Sequence, residues 1–179
     1  MISEKLKLDD IDRKIISLVQ EDPNMTHTRI AERINRSQPT VGMRIKKLEK
    51  SGVLQFQPGI NFKKVNLFLA IVELKSKHPD EIMEMAKFCP FMLNAFRVSG
   101  AHNICIMLSC SDLQKLDNIV NYHFRKNPDV SSVSMEIVSN IAKDFILPVD
   151  FDSENHNPTL EDGCGDKCKY KLAKKRGKI

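Results

Sequence analysis

The chain has 179 residues, of which 41% are hydrophobic and 28% charged, and a formal net charge of +5. That balance fits a chain that buries a core, and no run of about 18 apolar residues occurs, so disordered and membrane-spanning classes are excluded. Five cysteines, with no signal-peptide-like run in the first 30 residues, point to a reducing, cytoplasmic setting rather than a disulfide framework.

Residues 1–57 read as helices only. Ile11, Ile15, Leu18 and Val19 recur at helical spacing after N-cap candidates Asp9 and Asp10. The stretch EDPN (21–24) breaks that helix, and Thr26 can cap a short second one with Ile30, Ala31 and Ile34 inward. After the turn NRS (35–37), Ser37 caps a third helix that tolerates Pro39 in its first turn. It runs to about Ser51, and Gly52 is a natural residue just past its end. Three short helices, the last two joined tightly, match a helix-turn-helix.

Val41, Ile45 and Leu48 form one stripe of the third helix. Pro39, Met43, Lys46, Lys47 and Lys50 lie roughly opposite, with Thr40 and Arg44 on a flank and Ser37 and Gln38 at the start. Such a face suits a DNA major groove: lysines neutralise phosphates, Arg44 can reach a guanine, and Thr40 or Met43 can touch a thymine methyl. Taken alone, the same helix also reads as an ordinary solvated lysine-rich one. The two helices before it favour double-stranded DNA.

Pro58 and Gly59 open a linker over 58–66. Residues 67–148 then alternate: a strand at 68–75, a helix opened by Pro79 and Asp80, strands at 92–99 and 103–109, a helix from about Asp112 to Lys126, and a strand at 130–138. A further strand is expected at 141–147. The order βαββαβ is the ferredoxin-like arrangement, so the fold class is α+β. Helices cover one face of such a sheet. The other is expected to carry Met92, Phe96, Val98 or their neighbours and to need a partner chain, hence a homodimer.

At these residues the chain resembles the Lrp/AsnC, or feast/famine, transcription regulators. The likeness runs from Leu8-Asp9-x-x-Asp12 through Ile15, Leu18 and Ile30-Ala31. Its most specific stretch is Ser37-x-x-x-Val41-x-x-Arg44-Ile45-x-x-Leu48-Glu49-x-x-Gly52-Val53. The resemblance implies dimers joined through the sheet domains, often assembled into tetramers or octamers, with two recognition helices in successive major grooves. It also implies a small effector, commonly an amino acid, bound between dimers near a Gly-x-aromatic-Asp turn. Here that turn reads Ser99-Gly100-Ala101-His102-Asn103. Asn103 replaces the usual aspartate and His102 the commoner tyrosine or phenylalanine. An amide at 103 offers hydrogen bonds rather than a counter-charge, so neutral or anionic ligands are expected there over cationic ones.

Residues 149–179 hold few large apolar side chains and are expected to be a charged, flexible tail. Its 150–166 half has six acids and no Lys or Arg; its 167–179 half has seven Lys or Arg and no acid. Cys164 and Cys168 could supply half of a zinc site, with His156 or Cys110 added, or form a redox pair whose thiolates Lys167 and Lys169 favour. The spacing is weaker than that of two C-x2-C pairs, and two free thiols in a flexible tail are the more ordinary reading.

No Gly-rich phosphate loop and no Ser/His/Asp arrangement occurs, and no cofactor is expected. The leading expectation is a non-enzymatic, sequence-specific DNA-binding regulator. The rivals are a sirohaem-decarboxylase-like enzyme, which resembles the same family in both domains, and a redox- or metal-responsive regulator acting through Cys164 and Cys168.

Overall fold

A computed structural model of the chain describes residues 2–177. The chain forms two compact units that divide between Gln57 and Pro58. After a helical turn at Ile2–Lys5, the first unit holds helices α1 (Asp10–Glu21), α2 (His27–Ile34) and α3 (Gln38–Lys50). Each begins on a side-chain cap that satisfies an otherwise orphaned N–H. The Asp9 carboxylate accepts from the Asp12 N–H at 2.8 Å and the Asp12 carboxylate accepts from the Asp9 N–H at 3.4 Å. Thr26 accepts from the Arg29 N–H, and Ser37 from the Thr40 N–H. Asn35 closes α2 in the left-handed region at φ 52°, and Gly52 follows α3 at φ 73°. The apolar stripes of the three helices meet in one core of Ile15, Val19, Met25, Ile30, Ala31, Val41, Ile45, Leu48 and Leu54.

The second unit is a four-stranded antiparallel sheet of β1 (Phe68–Ser76), β2 (Met92–Arg97), β3 (Ile104–Cys110) and β4 (Val130–Ile137), in the spatial order β2-β3-β1-β4. Helix α4 (Pro79–Phe88) links β1 to β2, and α5 (Leu113–Val120), prolonged by a π turn at Asn121–Arg125, links β3 to β4. This is the ferredoxin-like topology read from the sequence. Strand pairing places Ala95, Ile106, Val72 and Met135 in one row across the sheet. With Leu74, Ile104 and Leu108 these side chains form the core beneath the helices, together with Ile82, Leu116, Ile119 and Phe124. The neighbouring rows face the other way. One is Asn94, Met107, Ile71 and Glu136; the next is Phe96, Cys105, Glu73 and Ser134.

Met92 corrects one expectation. It is buried in the helix-side core, while Phe96 and Val98 stay exposed. The register shifts between Met92 and Asn94, and an extra residue in a strand flips every side chain before it to the opposite face.

The expected linker is partly structured. Ile60–Asn61 pairs with Ile146–Leu147, which is all of the 141–147 segment that forms a strand, and Phe62 is buried. Gly59 permits this approach, because a Cβ there would lie 2.5 Å from the Leu147 carbonyl.

The tail expected to be flexible packs onto the second unit instead. It forms short 3-10 turns at Phe151–Asn155 and Gly165–Lys167 and then helix α6 (Lys169–Lys175). His156, Cys168, Tyr170 and Ala173 are buried, and Cys168 and Tyr170 join the sheet core. Its two oppositely charged halves pair with each other: Lys169 Nζ lies 2.9 Å from Asp150 and 3.0 Å from Asp152, and Lys171 Nζ lies 3.5 Å from Asp162. Few apolar residues are needed where small side chains, aromatic rings and ion pairs share the packing.

Candidate nucleic-acid interface and effector region

Helix α3 buries Val41, Ile45 and Leu48, and that burial fixes which residues it turns outward. Gln38, Pro39, Met43, Lys46, Lys47 and Lys50 are exposed, Met43 to 68%. An exposed thioether is an uncommon use of an apolar residue, and here it sits among cations. The side chains of Lys46, Lys47 and Lys50 make no hydrogen bond or ion pair among the described residues. Their charge is therefore free for an external anion. Ser37 and Thr40 are partly committed: the Ser37 hydroxyl caps the helix, and the two hydroxyl oxygens lie 2.8 Å apart. The one glycine within α3 marks a close approach to α2, since a Cβ at Gly42 would meet the His27 ring at 3.3 Å.

Arg44 does not share that face. Its Nη1 donates to Asp12 Oδ1 at 2.8 Å and to Asp9 Oδ2 at 2.5 Å. Asp12 is only 3% exposed. Hydrogen bonds donated to Asp9 and then to Asp12 raise the Arg44 guanidinium further above its ordinary range. Asp9 is held below the usual carboxylate value, first by the Asp12 N–H and then by Arg44. The guanidinium thus clamps α3 to the start of α1, and both carboxylates that it pairs with lie within the first unit. Helical rotation alone had put it on the flank of the cationic face, where a carboxylate 32 residues earlier claims it.

In the second unit the turn 98–103 is open. Ser99, Gly100 and Ala101 are exposed, and Gly100 has φ 142° with nothing within 4 Å of where a Cβ would stand. His102 Nδ1 lies 3.6 Å from Glu73 Oε2. Asn103 differs from its expected role. Its amide donates to the Ser76 carbonyl at 2.7 Å and accepts from the Ser76 N–H at 2.9 Å, and its own N–H donates to the Leu74 carbonyl at 3.0 Å. The side chain extends the β1–β3 ladder, so one donor and one acceptor of its amide are used within the fold.

Cys168 is buried and Cys164 half-buried. Burial, and then the neighbouring Cys168, push the Cys164 thiol up to about 11. The lysines nearby therefore do not make Cys164 the activated thiolate that its sequence neighbourhood implied. Cys89, which the sequence gave no reason to single out, belongs with them: burial pushes it up to about 12, and Cys164 and Cys168 also oppose its ionisation. Among the described residues, no three His, Cys, Asp or Glu side chains stand at metal-holding geometry.

No helix among the described residues is long and apolar enough to cross a membrane. Residues 8–55 match the winged helix-turn-helix DNA-binding family, and residues 68–146 match the Lrp/AsnC ligand-binding domain. An uncharacterized HTH-type transcriptional regulator of Pyrococcus horikoshii is 34% identical over 146 residues, covering 79% of this chain and 92% of that one. Among solved structures, E. coli AsnC superposes with a TM-score of 0.65 at 16% identity, over 77% of this chain and 97% of that one. A Neisseria meningitidis transcriptional regulator, solved as a complex with L-methionine, gives 0.68 at 22% identity, over 79% and 96%.

Proposed function

The chain belongs to the Lrp/AsnC family of DNA-binding transcription regulators, and from that premise we propose how its two units divide the work. Helix α3 enters the major groove of double-stranded DNA. Lys46, Lys47 and Lys50 meet phosphates, while Met43, Gln38, Pro39 and Thr40, with Ser37 at the helix start, approach base edges and backbone. The observation that carries this reading is the set of three lysines on α3 with no internal partner, beside an exposed Met43. Arg44 contributes by fixing the helix on its domain.

The second unit serves assembly and response. Its open sheet face presents Ile71, Met107 and Phe96, an apolar strip that a second copy would cover, so the regulator acts as a homodimer, with tetramers or octamers built from it. Paired recognition helices then suit a pseudo-palindromic site. A small effector at the turn Ser99–His102 is supported by the ligand-binding-domain match, and the Neisseria relative was solved with an amino acid. Since Asn103 is bound to Ser76, the contacts would come from exposed backbone and from His102. We read the chain as a regulator without catalytic activity, working in the cytoplasm beside the DNA it controls; no feature of the cationic α3 favours the decarboxylase reading.

The test is a footprint of the full chain on genomic fragments, followed by affinity measurements across salt concentrations. Protected sites with two-fold symmetry and a steep salt dependence are expected. Salt-independent or absent DNA binding would remove the proposal.

A further inference from the structure

The C-terminal segment raises a question that its apolar content does not answer. It has few large apolar residues, yet His156 is 4% exposed and Cys168 6%. Small folded segments of this kind commonly rely on an added crosslink. Three thiols pack against the same sheet core where the tail docks: Cys89, just past helix α4, and Cys164 and Cys168 of the tail.

His156 adds a nitrogen. Its Nε2 is 3.1 Å from Asp152 Oδ2, and its Nδ1 is buried with no hydrogen-bond partner. An orphaned buried ring nitrogen is costly and calls for an explanation. A carboxylate on one imidazole nitrogen, leaving the other open, is the usual outer support of a metal-binding histidine. The ring stands edge-on to Phe91, two residues after Cys89, at 6.2 Å between centroids. Both neighbours of Cys168 are tied to the His156 segment: Lys167 Nζ donates to the Asn155 carbonyl at 3.3 Å, and Lys169 Nζ lies 3.0 Å from Asp152 Oδ2.

We propose that Cys89, Cys164, Cys168 and His156 are the four ligands of a thiophilic divalent cation of the zinc class, which locks the C-terminal segment onto the sheet unit. Three sulfurs and one nitrogen form a closed tetrahedral donor set of the structural kind. The side chains have not converged on a common point, so capture turns the thiols and the imidazole inward. Each thiol gives up its proton to solvent as its sulfur bonds the cation, and His156 binds through Nδ1 as the neutral ring, its Nε2–H donating to the Asp152 carboxylate. Asp152 is then a positioning residue, and Lys169 holds it in place.

Cobalt(II), added to the full-length, fully reduced, metal-free protein, is the direct probe. About one cobalt per chain is expected, with thiolate-to-metal charge-transfer absorption and the visible bands of a tetrahedral site, all displaced by zinc. Cys89→Ser and Cys168→Ser should abolish the charge-transfer band or weaken binding by far more than tenfold. Asp152→Asn should weaken it by about 10–100-fold with the spectrum kept. Cys105→Ser should bind like the wild type, because Cys105 lies on the opposite face of the sheet. Should the cysteine variants fail to fold, the wild type still decides: zinc should slow tryptic cleavage after Lys174 and Lys175 at least tenfold relative to the chelated protein. No charge-transfer band, a Cys89→Ser protein that keeps both the wild-type band intensity and the wild-type affinity, or cleavage indifferent to zinc would each overturn the proposal.

Discussion

Arg44 Nη1 lies 2.8 Å from Asp12 Oδ1, joining α3 to α1 through a carboxylate that is almost wholly buried. Removing one partner strands the other, so Arg44→Ala should lower the stability of the first unit by about 1–3 kcal/mol. Chemical denaturation of the 1–57 unit or of the full chain reads this directly. Any loss of DNA binding should be shared by all sequences. A changed base preference at unchanged stability would return Arg44 to the groove. Asp9 adds a pH signature: its folded pKa is depressed, so its contribution is present above about pH 4 and fades as the pH falls through the lower folded value.

His123 gives the second unit a different acid sensitivity. Burial, and then Lys171, lower its pKa from 6.5 to about 4. Between those values the unfolded chain binds a proton that the folded one refuses. Stability is therefore full above about pH 6.5, falls as the pH drops towards 4, and levels off below it. Thermal melts of the wild type should show that slope, and His123→Gln should flatten it. Parallel slopes in the two proteins would assign the sensitivity elsewhere.

Asn103 stitches the end of β3 to Ser76 by two hydrogen bonds. Asn103→Ala leaves the Ser76 backbone groups unpaired and should cost about 1–3 kcal/mol. Asn103→Asp keeps the acceptor for the Ser76 N–H but sets a carboxylate against the Ser76 carbonyl, and should cost a similar amount. Unfolding midpoints measure both. Unchanged midpoints would free Asn103 for a ligand.

Ile71, Met107 and Phe96 form the proposed assembly face. Met107→Asp should place a charge at its centre and shift sedimentation from dimer towards monomer at micromolar protein. Cys89→Ser, on the other side of the sheet, should not have this effect. A wild-type chain that sediments as a monomer would contradict the dimer outright.

The elements with clean patterns were legible from sequence: Val41, Ile45 and Leu48 mark the buried side of α3, and the β-rich apolar runs FLAIVELK and ICIMLS mark β1 and β3. Three things were not. A register shift after Met92 moved that side chain under the helices, and no composition signal announces a bulge. Arg44 sits at an angle that suits either DNA or α1, and only the packing of Asp12 against it decides. The tail hid its core in cysteine, histidine, tyrosine and ion pairs, so a scan for large apolar side chains missed it. Its opposed charge halves were visible, and their pairing with each other was the available clue.

The central claim is that the unpartnered cations of α3 hold DNA while Arg44 holds α3. The most direct measurement compares wild type and Lys46→Ala/Lys47→Ala/Lys50→Ala for operator affinity as a function of salt, with thermal melting as the fold control. The account predicts an unchanged melt, a large loss of affinity, and a salt slope shallower by roughly one unit for each lysine that meets a phosphate. Wild-type affinity and slope in the triple variant would contradict it.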